Sequence, residues 1–218
     1  MGSKQRNSAN DKTNRFGVLE RLTPDESGVV LRILLERNQN LRAEAEKIAK
    51  ELVASPSAED IAEDIFEAVT SVDIDDLNSR AGKTQRGYVE PSEAAWELLE
   101  ESVEDAVSDM KRRMELGLTN AALAICCGIV MGLYKAKDIS SDGALGWASD
   151  FPAEEAGHAV AELIRACPAK DRNPVRNRLL ADFSKYVPAW IDYLGREADR
   201  NVAIVMSQVE GRKTGARP

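Results

Sequence analysis

From Leu116 to Tyr134 the chain carries no charged residue, and within that stretch AALAICCGIVMGLY is apolar on every side of a helix. Such a helix belongs either at the centre of a fold or across a membrane. Gly128-x-x-x-Gly132 lies inside it, the spacing that lets two helices approach closely in either setting. Length is borderline for a span, and Thr119, Asn120 and three glycines dilute its hydropathy. We therefore read it as a buried central helix in a chain otherwise built from amphipathic ones.

The flanking segments supply those partners. Thr23-Pro24-Asp25-Glu26 is a helix start: Thr23 caps, Pro24 fits the first turn and Glu26 completes a capping box. Val29, Val30, Ile33 and Leu34 form that helix's expected buried stripe, and Asn40 opens a second helix in which Leu41, Ala45, Ile48 and Leu52 recur. The two are expected to pair as a hairpin. Ser57 with Asp60 opens a third helix, and Asp73 with Asp76 a short fourth ending at Gly82, followed by a polar loop to Val89. The longest helix runs from Pro91 to about Leu116 with Gly117 as its stop; Trp96, Leu99, Val103, Met110 and Met114 share one face, and charge fills the other.

Beyond the central helix, Pro152 opens a helix, Asn173-Pro174 caps another, and Pro188 starts or kinks the last. No run of alternating β-branched residues between turn signals predicts a sheet. The expected fold is all-α, about nine helices in hairpins forming a bundle or short α-solenoid. One domain over 16–210 is expected, with a possible subdivision near 139–150, a disordered tail over 1–15 and a flexible tail over 211–218.

Charge narrows the function. The net charge of −8 opposes general nucleic-acid or anionic-membrane binding, which needs a basic face. Between Glu59 and Asp109 there are 16 acids against three bases, whereas from Arg165 onward 11 bases face six acids. Three cysteines, two of them adjacent, form no disulfide framework, and the polar start lacks a secretory apolar stretch, so a cytoplasmic location is expected.

The segments LTPDESGVVLRILLERN, GYVEPSEAAWELLEE and LAICCGIVMGLYKAKD resemble segments of uncharacterised bacterial all-helical proteins. The stretch from Trp96 to Tyr134 is similar in style to tetratricopeptide or HEAT-type hairpins, although no clean 34-residue period is present. The resemblance implies a helical-hairpin fold and carries no function.

Candidate chemistry is sparse. Ala81-Gly82-Lys83-Thr84 ends like a phosphate-binding loop, but Leu77 stands where that loop requires glycine. His158 is the sole histidine, with Glu154, Glu155 and Glu162 on the same helical face. Glu155-x-x-His158 matches one quarter of a di-metal carboxylate bundle whose second half this chain lacks. We read the group as a solvated polar face. Cys126 and Cys127 point about 100° apart on a helix and read as small core residues.

All-α nucleotide pyrophosphatases hold Mg²⁺ between acidic helices. Here Asp60, Glu63, Asp64 and Glu67 with Glu97, Glu100, Glu101 and Glu104 have that spacing, although most lie opposite the apolar stripe. Convergence of such carboxylates from two helices in one pocket favours the hydrolase; dispersal favours an interaction module.

No catalytic, cofactor-binding or metal-ligating residue is assigned, and no cofactor is expected. The remaining feature is the loop from Arg80 to Glu90, where Arg80, Lys83, Arg86 and Tyr88 bring positive charge and an aromatic ring into an acidic region. Either its arginines return to nearby carboxylates, or the group is a protein contact of hot-spot composition. The expected function is a non-enzymatic helical module or scaffold that binds a protein partner or a second copy of itself, without nucleic acid or membrane. The alternative is the Mg²⁺-dependent hydrolase.

Overall fold

The computed structural model describes residues 17–84, 87–139 and 143–214, and the chain divides into two compact units, Met1–Leu52 and Val53–Pro218. The division falls at the end of the second helix rather than near 139–150. The protein is all-α, and among the described residues the strands form one small hairpin.

In the first unit a 3-10 turn (Val18–Arg21) precedes α1 (Pro24–Arg37) and α2 (Gln39–Val53). The capping box forms as the sequence predicts: Thr23 Oγ1 accepts from the Glu26 amide at 3.3 Å, and Glu26 Oε2 accepts from the Thr23 amide at 2.9 Å. Only Asn38, in an extended conformation, separates the two helices. They do not pack along their lengths, and neither buries a single residue, which corrects the expectation of a paired hairpin with a buried stripe.

The second unit holds α3 (Ala58–Ser71), α4 (Ile74–Arg80), strands β1 (Gly82–Thr84) and β2 (Gly87–Val89), α5 (Pro91–Glu115), α6 (Thr119–Ala136), α7 (Ala144–Trp147), α8 (Phe151–Ala166), α9 (Arg172–Tyr186) and α10 (Ile191–Thr214). α6 is the axle. It packs against α3, α5, α8 and α9, and most of its residues are buried, Ile129 and Leu133 completely. It is the one described helix long and apolar enough to cross a membrane, and 67% of it is buried inside the fold.

Glycine spacing sets how closely α3 approaches. A methyl group at Gly128 would stand 2.6 Å from Ile61 Cβ, and one at Gly132 2.6 Å from the Ala62 carbonyl oxygen. The two helices thus touch backbone to side chain along the Gly-x-x-x-Gly face. At the other end, Gly117 ends α5 with a positive φ of 74°, which frees its amide and that of Leu118 to satisfy the Met114 and Arg113 carbonyls at 3.0 and 2.9 Å.

Two further features differ from the sequence expectation. The polar segment after α4 is a two-stranded antiparallel ribbon, with Lys83 opposite Tyr88 and positive φ at Gly82 and Gly87. Three-residue strands carry too little periodicity to be read from sequence. α10 also continues to Thr214, into the segment expected as a flexible tail from 211. Before it, Pro188 starts a 3-10 turn (Pro188–Trp190), and Trp190 meets Tyr134 edge to face at 5.0 Å.

Candidate functional site

The positive hairpin resolves into a partial self-neutralisation. Arg80, the last residue of α4, reaches across to α5, donating from Nη1 to Glu101 Oε1 at 2.6 Å and from Nη2 to Glu101 Oε2 at 3.0 Å, with Glu97 at 3.9 Å. The Glu101 bond pushes the Arg80 guanidinium up, and the same bond holds Glu101 below the usual carboxylate value. Arg80 therefore serves α5. Lys83 is exposed and Tyr88 is 63% exposed, side by side on the ribbon, while Arg86 lies outside the described residues.

The acidic set divides. Glu97, Glu100, Glu101 and Glu104 of α5 line a cleft of about 400 Å³ whose other wall is α8, through Glu155, His158 and Glu162. Asp60, Glu63, Asp64 and Glu67 of α3 do not line it; Glu63 pairs with Lys135 instead. Carboxylates from two helices do converge, but the pair is α5 with α8, not α5 with α3.

Inside the cleft Glu155 is only 4% exposed, so its carboxyl does not belong to a solvated face. His158 Nδ1 lies 3.2 Å from Glu155 Oε2. Burial pushes the Glu155 carboxyl above its ordinary value; His158 pulls it down, and Glu100 and Glu162 add to the rise. Glu162 experiences the opposite balance. Desolvation would raise it, but Lys111 Nζ at 2.6 Å and Arg165 Nη1 at 2.6 Å together hold it low. The cleft therefore has a buried carboxyl of raised proton affinity at its inner wall, a compensated one at one end, and the α5 acids at its mouth.

Among the described residues no group of three His, Cys, Asp or Glu side chains is arranged to hold a metal ion. A Mg²⁺ clamp needs carboxylate oxygens closing around one point; here they spread along α5.

The cysteines are core. Burial pushes the Cys126 thiol well up and the Cys127 thiol up to about 12, with Asp182 adding to the latter.

Sequence reasoning singled out the α5 acids and the Glu155/His158 group, without joining them. It missed Trp147, which stands 52% exposed beside the α5 acids on the short α7. The local signal for Glu155 was its surroundings one turn away, Phe151, Pro152 and Ala159, which are apolar and small enough to belong to a buried stripe. No comparable signal marks Trp147. Comparison with protein-family models, curated proteins and solved structures finds no match to this chain.

Proposed function

We propose that this chain is a non-enzymatic helical interaction module that docks onto a protein partner through its first unit. One observation carries the reading: α1 and α2 hold apolar side chains fit for a core and bury none of them. In α1 Val29, Leu31, Ile33 and Leu34 are 50, 52, 41 and 48% exposed, and in α2 Leu41, Ile48 and Leu52 are 43, 48 and 80% exposed. Asp25, Arg32 and Glu36 share one side of α1, and Glu26, Ser27 and Arg37 add polar side chains elsewhere. Yet six of its 14 residues, Val29, Val30, Leu31, Ile33, Leu34 and Leu35, are large and apolar, and a helix with that many is normally covered on at least one face. Isolated helices of this length are marginal in water. Covering the exposed half of each such side chain contributes roughly 1 kcal/mol, enough in sum to hold both helices on a partner. Three buried free cysteines suit a reducing cytoplasmic setting.

The test is Leu34→Glu combined with Ile48→Glu in the full chain. Wild type should sediment as a complex, with itself or with a protein that co-purifies from the native host. The double variant should lose that complex while the second unit melts unchanged. If wild type is a lone monomer whose α1 and α2 amides are already protected from hydrogen exchange, the apolar face is covered within the chain and the reading fails.

The hydrolase alternative draws support from the convergence of α5 and α8 carboxylates. The spread of those carboxylates and the absence of a metal-holding triad among the described residues count against it. Mg²⁺-dependent release of pyrophosphate from a nucleoside triphosphate, lost on Glu100→Gln, would establish it in place of the interaction reading.

A further inference from the structure

A second surface, on the Val53–Pro218 unit, has a different chemistry from the apolar face of α1 and α2. α7 is anchored by Ala144 and Leu145, both buried, yet its last residue, Trp147, is left 52% exposed. Beside it Trp96 of α5 is half-buried and meets Phe151 edge to face at 5.1 Å, which fixes its ring. Trp96, Trp147 and Ala148 form the apolar part of a groove of about 410 Å³, rimmed by Glu93, Glu97 and Asp150. Glu97 also lines the α5–α8 cleft, so the two openings adjoin and share a wall.

Along that wall Glu93, Glu97, Glu100 and Glu104 recur at three- and four-residue spacing and so share one face of α5. At a rise of 1.5 Å per residue this row spans ~16 Å, the reach of about five residues of extended chain. Its charge is largely uncompensated. Arg80 is committed to Glu101 and Lys111 to Glu162, and among the described residues no cation pairs with Glu93, Glu100, Glu104 or Asp150.

A tryptophan half open to solvent and a row of carboxylates in which only Glu97 has a cation nearby, Arg80 at 3.9 Å, make complementary demands on one ligand. The ring attracts a cation through its quadrupole, and it attracts guanidinium most readily because that group also stacks. The carboxylates accept the same group through paired oxygens. A single divalent ion meets neither demand, because it leaves the ring uncovered and the row too extended to close around it. A cationic chain meets both.

We propose that this groove binds a basic segment of a partner protein in extended form, one arginine seated on Trp147 and the next basic side chains aligned with Glu97, Glu100 and Glu104. This site is independent of the α1–α2 face, and the full chain carrying Leu34→Glu and Ile48→Glu retains it.

The experiment measures fluorescence anisotropy of a labelled, end-blocked five-residue peptide of alternating arginine and serine, titrated with the full chain. The same peptide with glutamine for arginine is the neutral control. Trp147→Ala, and separately Glu97→Gln with Glu100→Gln, should each weaken binding about tenfold. Asp64→Asn with Glu67→Gln removes the same charge from the exposed side of α3 and should change binding less than about twofold at physiological salt. Circular dichroism confirms that each variant is folded. Equal losses in the α3 control and the groove variants would mean that the peptide senses only net charge, which overturns the proposal. Retention of full affinity by Trp147→Ala, no binding by wild type, or displacement of the peptide by millimolar Mg²⁺ with saturation at one ion would also overturn it.

Discussion

The close approach of α3 to α6 gives a substitution whose sign can be worked out from the structure. Gly132→Ala adds a methyl group that would stand 2.6 Å from the Ala62 carbonyl oxygen and 2.8 Å from Ile65 Cβ. Neither neighbour is the flexible end of a side chain. Relief requires α3 and α6 to separate by several tenths of an ångström along a shared face, and overpacking of this kind costs about 3 kcal/mol at the upper end of its usual range. Against it stands the propensity gain from glycine to alanine within a helix, about 1 kcal/mol. The net is about 2 kcal/mol of destabilisation.

At roughly 2–4 °C per kcal/mol for a domain of this size, the melting temperature should fall by about 6 °C. Gly195→Ala makes the identical chemical change in α10, where the nearest foreign atom, Leu180 Cδ2, lies at 3.8 Å. That variant should keep the propensity gain and melt about 3 °C higher. Thermal unfolding of the two variants beside wild type, followed at 222 nm, decides the matter. If both substitutions raise the melting temperature, the α3–α6 contact is looser than described, and the Gly-x-x-x-Gly spacing is not what sets it.

Other outcomes are equally direct. Glu155 has its proton affinity raised by burial above its ordinary value of 4.5, so the native state holds a proton that the unfolded chain has lost in the window just above that value. Stability therefore falls as pH rises through this window, and Glu155→Gln should flatten that slope and be more stable than wild type at neutral pH in urea titrations; a steeper slope in the variant would refute this. Ile129→Asp, at a fully buried position of α6, should cost roughly 4 kcal/mol or more and leave the chain insoluble or unfolded; a soluble, fully helical product would contradict it. Cys126 and Cys127, buried and with raised thiol pKa, should resist maleimide in the native state and label rapidly in guanidinium, as mass spectrometry would show.

Where local chemistry decides the outcome, the sequence was a reliable guide. Thr23 with Glu26 and Asp73 with Asp76 form reciprocal caps, because cap residues and donors lie within one turn of each other. An all-round apolar α6, too diluted by glycine and polar residues for a clear membrane span, was expected in the interior of the fold, where 67% of it is buried. What was not legible required knowing which helix faces which. α5 bears charge on most of its outer face, and nothing in its own pattern distinguishes Glu100, which looks into the cleft with α8, from Asp105, which does not line it. Glu155 was read as solvated because its type is seldom buried; the approach of α5 to α8 encloses it. The stripe of α1 and α2 was read correctly as apolar, but periodicity says only that a face wants cover, not where cover comes from. The exposure of Trp147 depends on how α7 is seated, which a four-residue helix cannot encode locally.

The order of helices around α6 also bears on how the chain is made. α3 and α5, its most extensive neighbours, both precede it in sequence, whereas α8 and α9 follow. Synthesis proceeds from the N-terminus at about 5–20 residues per second, slowly compared with helix formation. When Thr119–Ala136 leaves the ribosome, the Gly128/Gly132 side already has α3 waiting, and the chain turns back at Gly117 onto α5. The most apolar segment is thus born into a half-built cradle, and its exposure to chaperones, to aggregation and to the membrane insertion machinery is limited to the interval before α8 arrives. A circular permutant that begins at Thr119 would present the same helix with no earlier neighbour, and its yield of soluble protein would measure what that order of synthesis contributes.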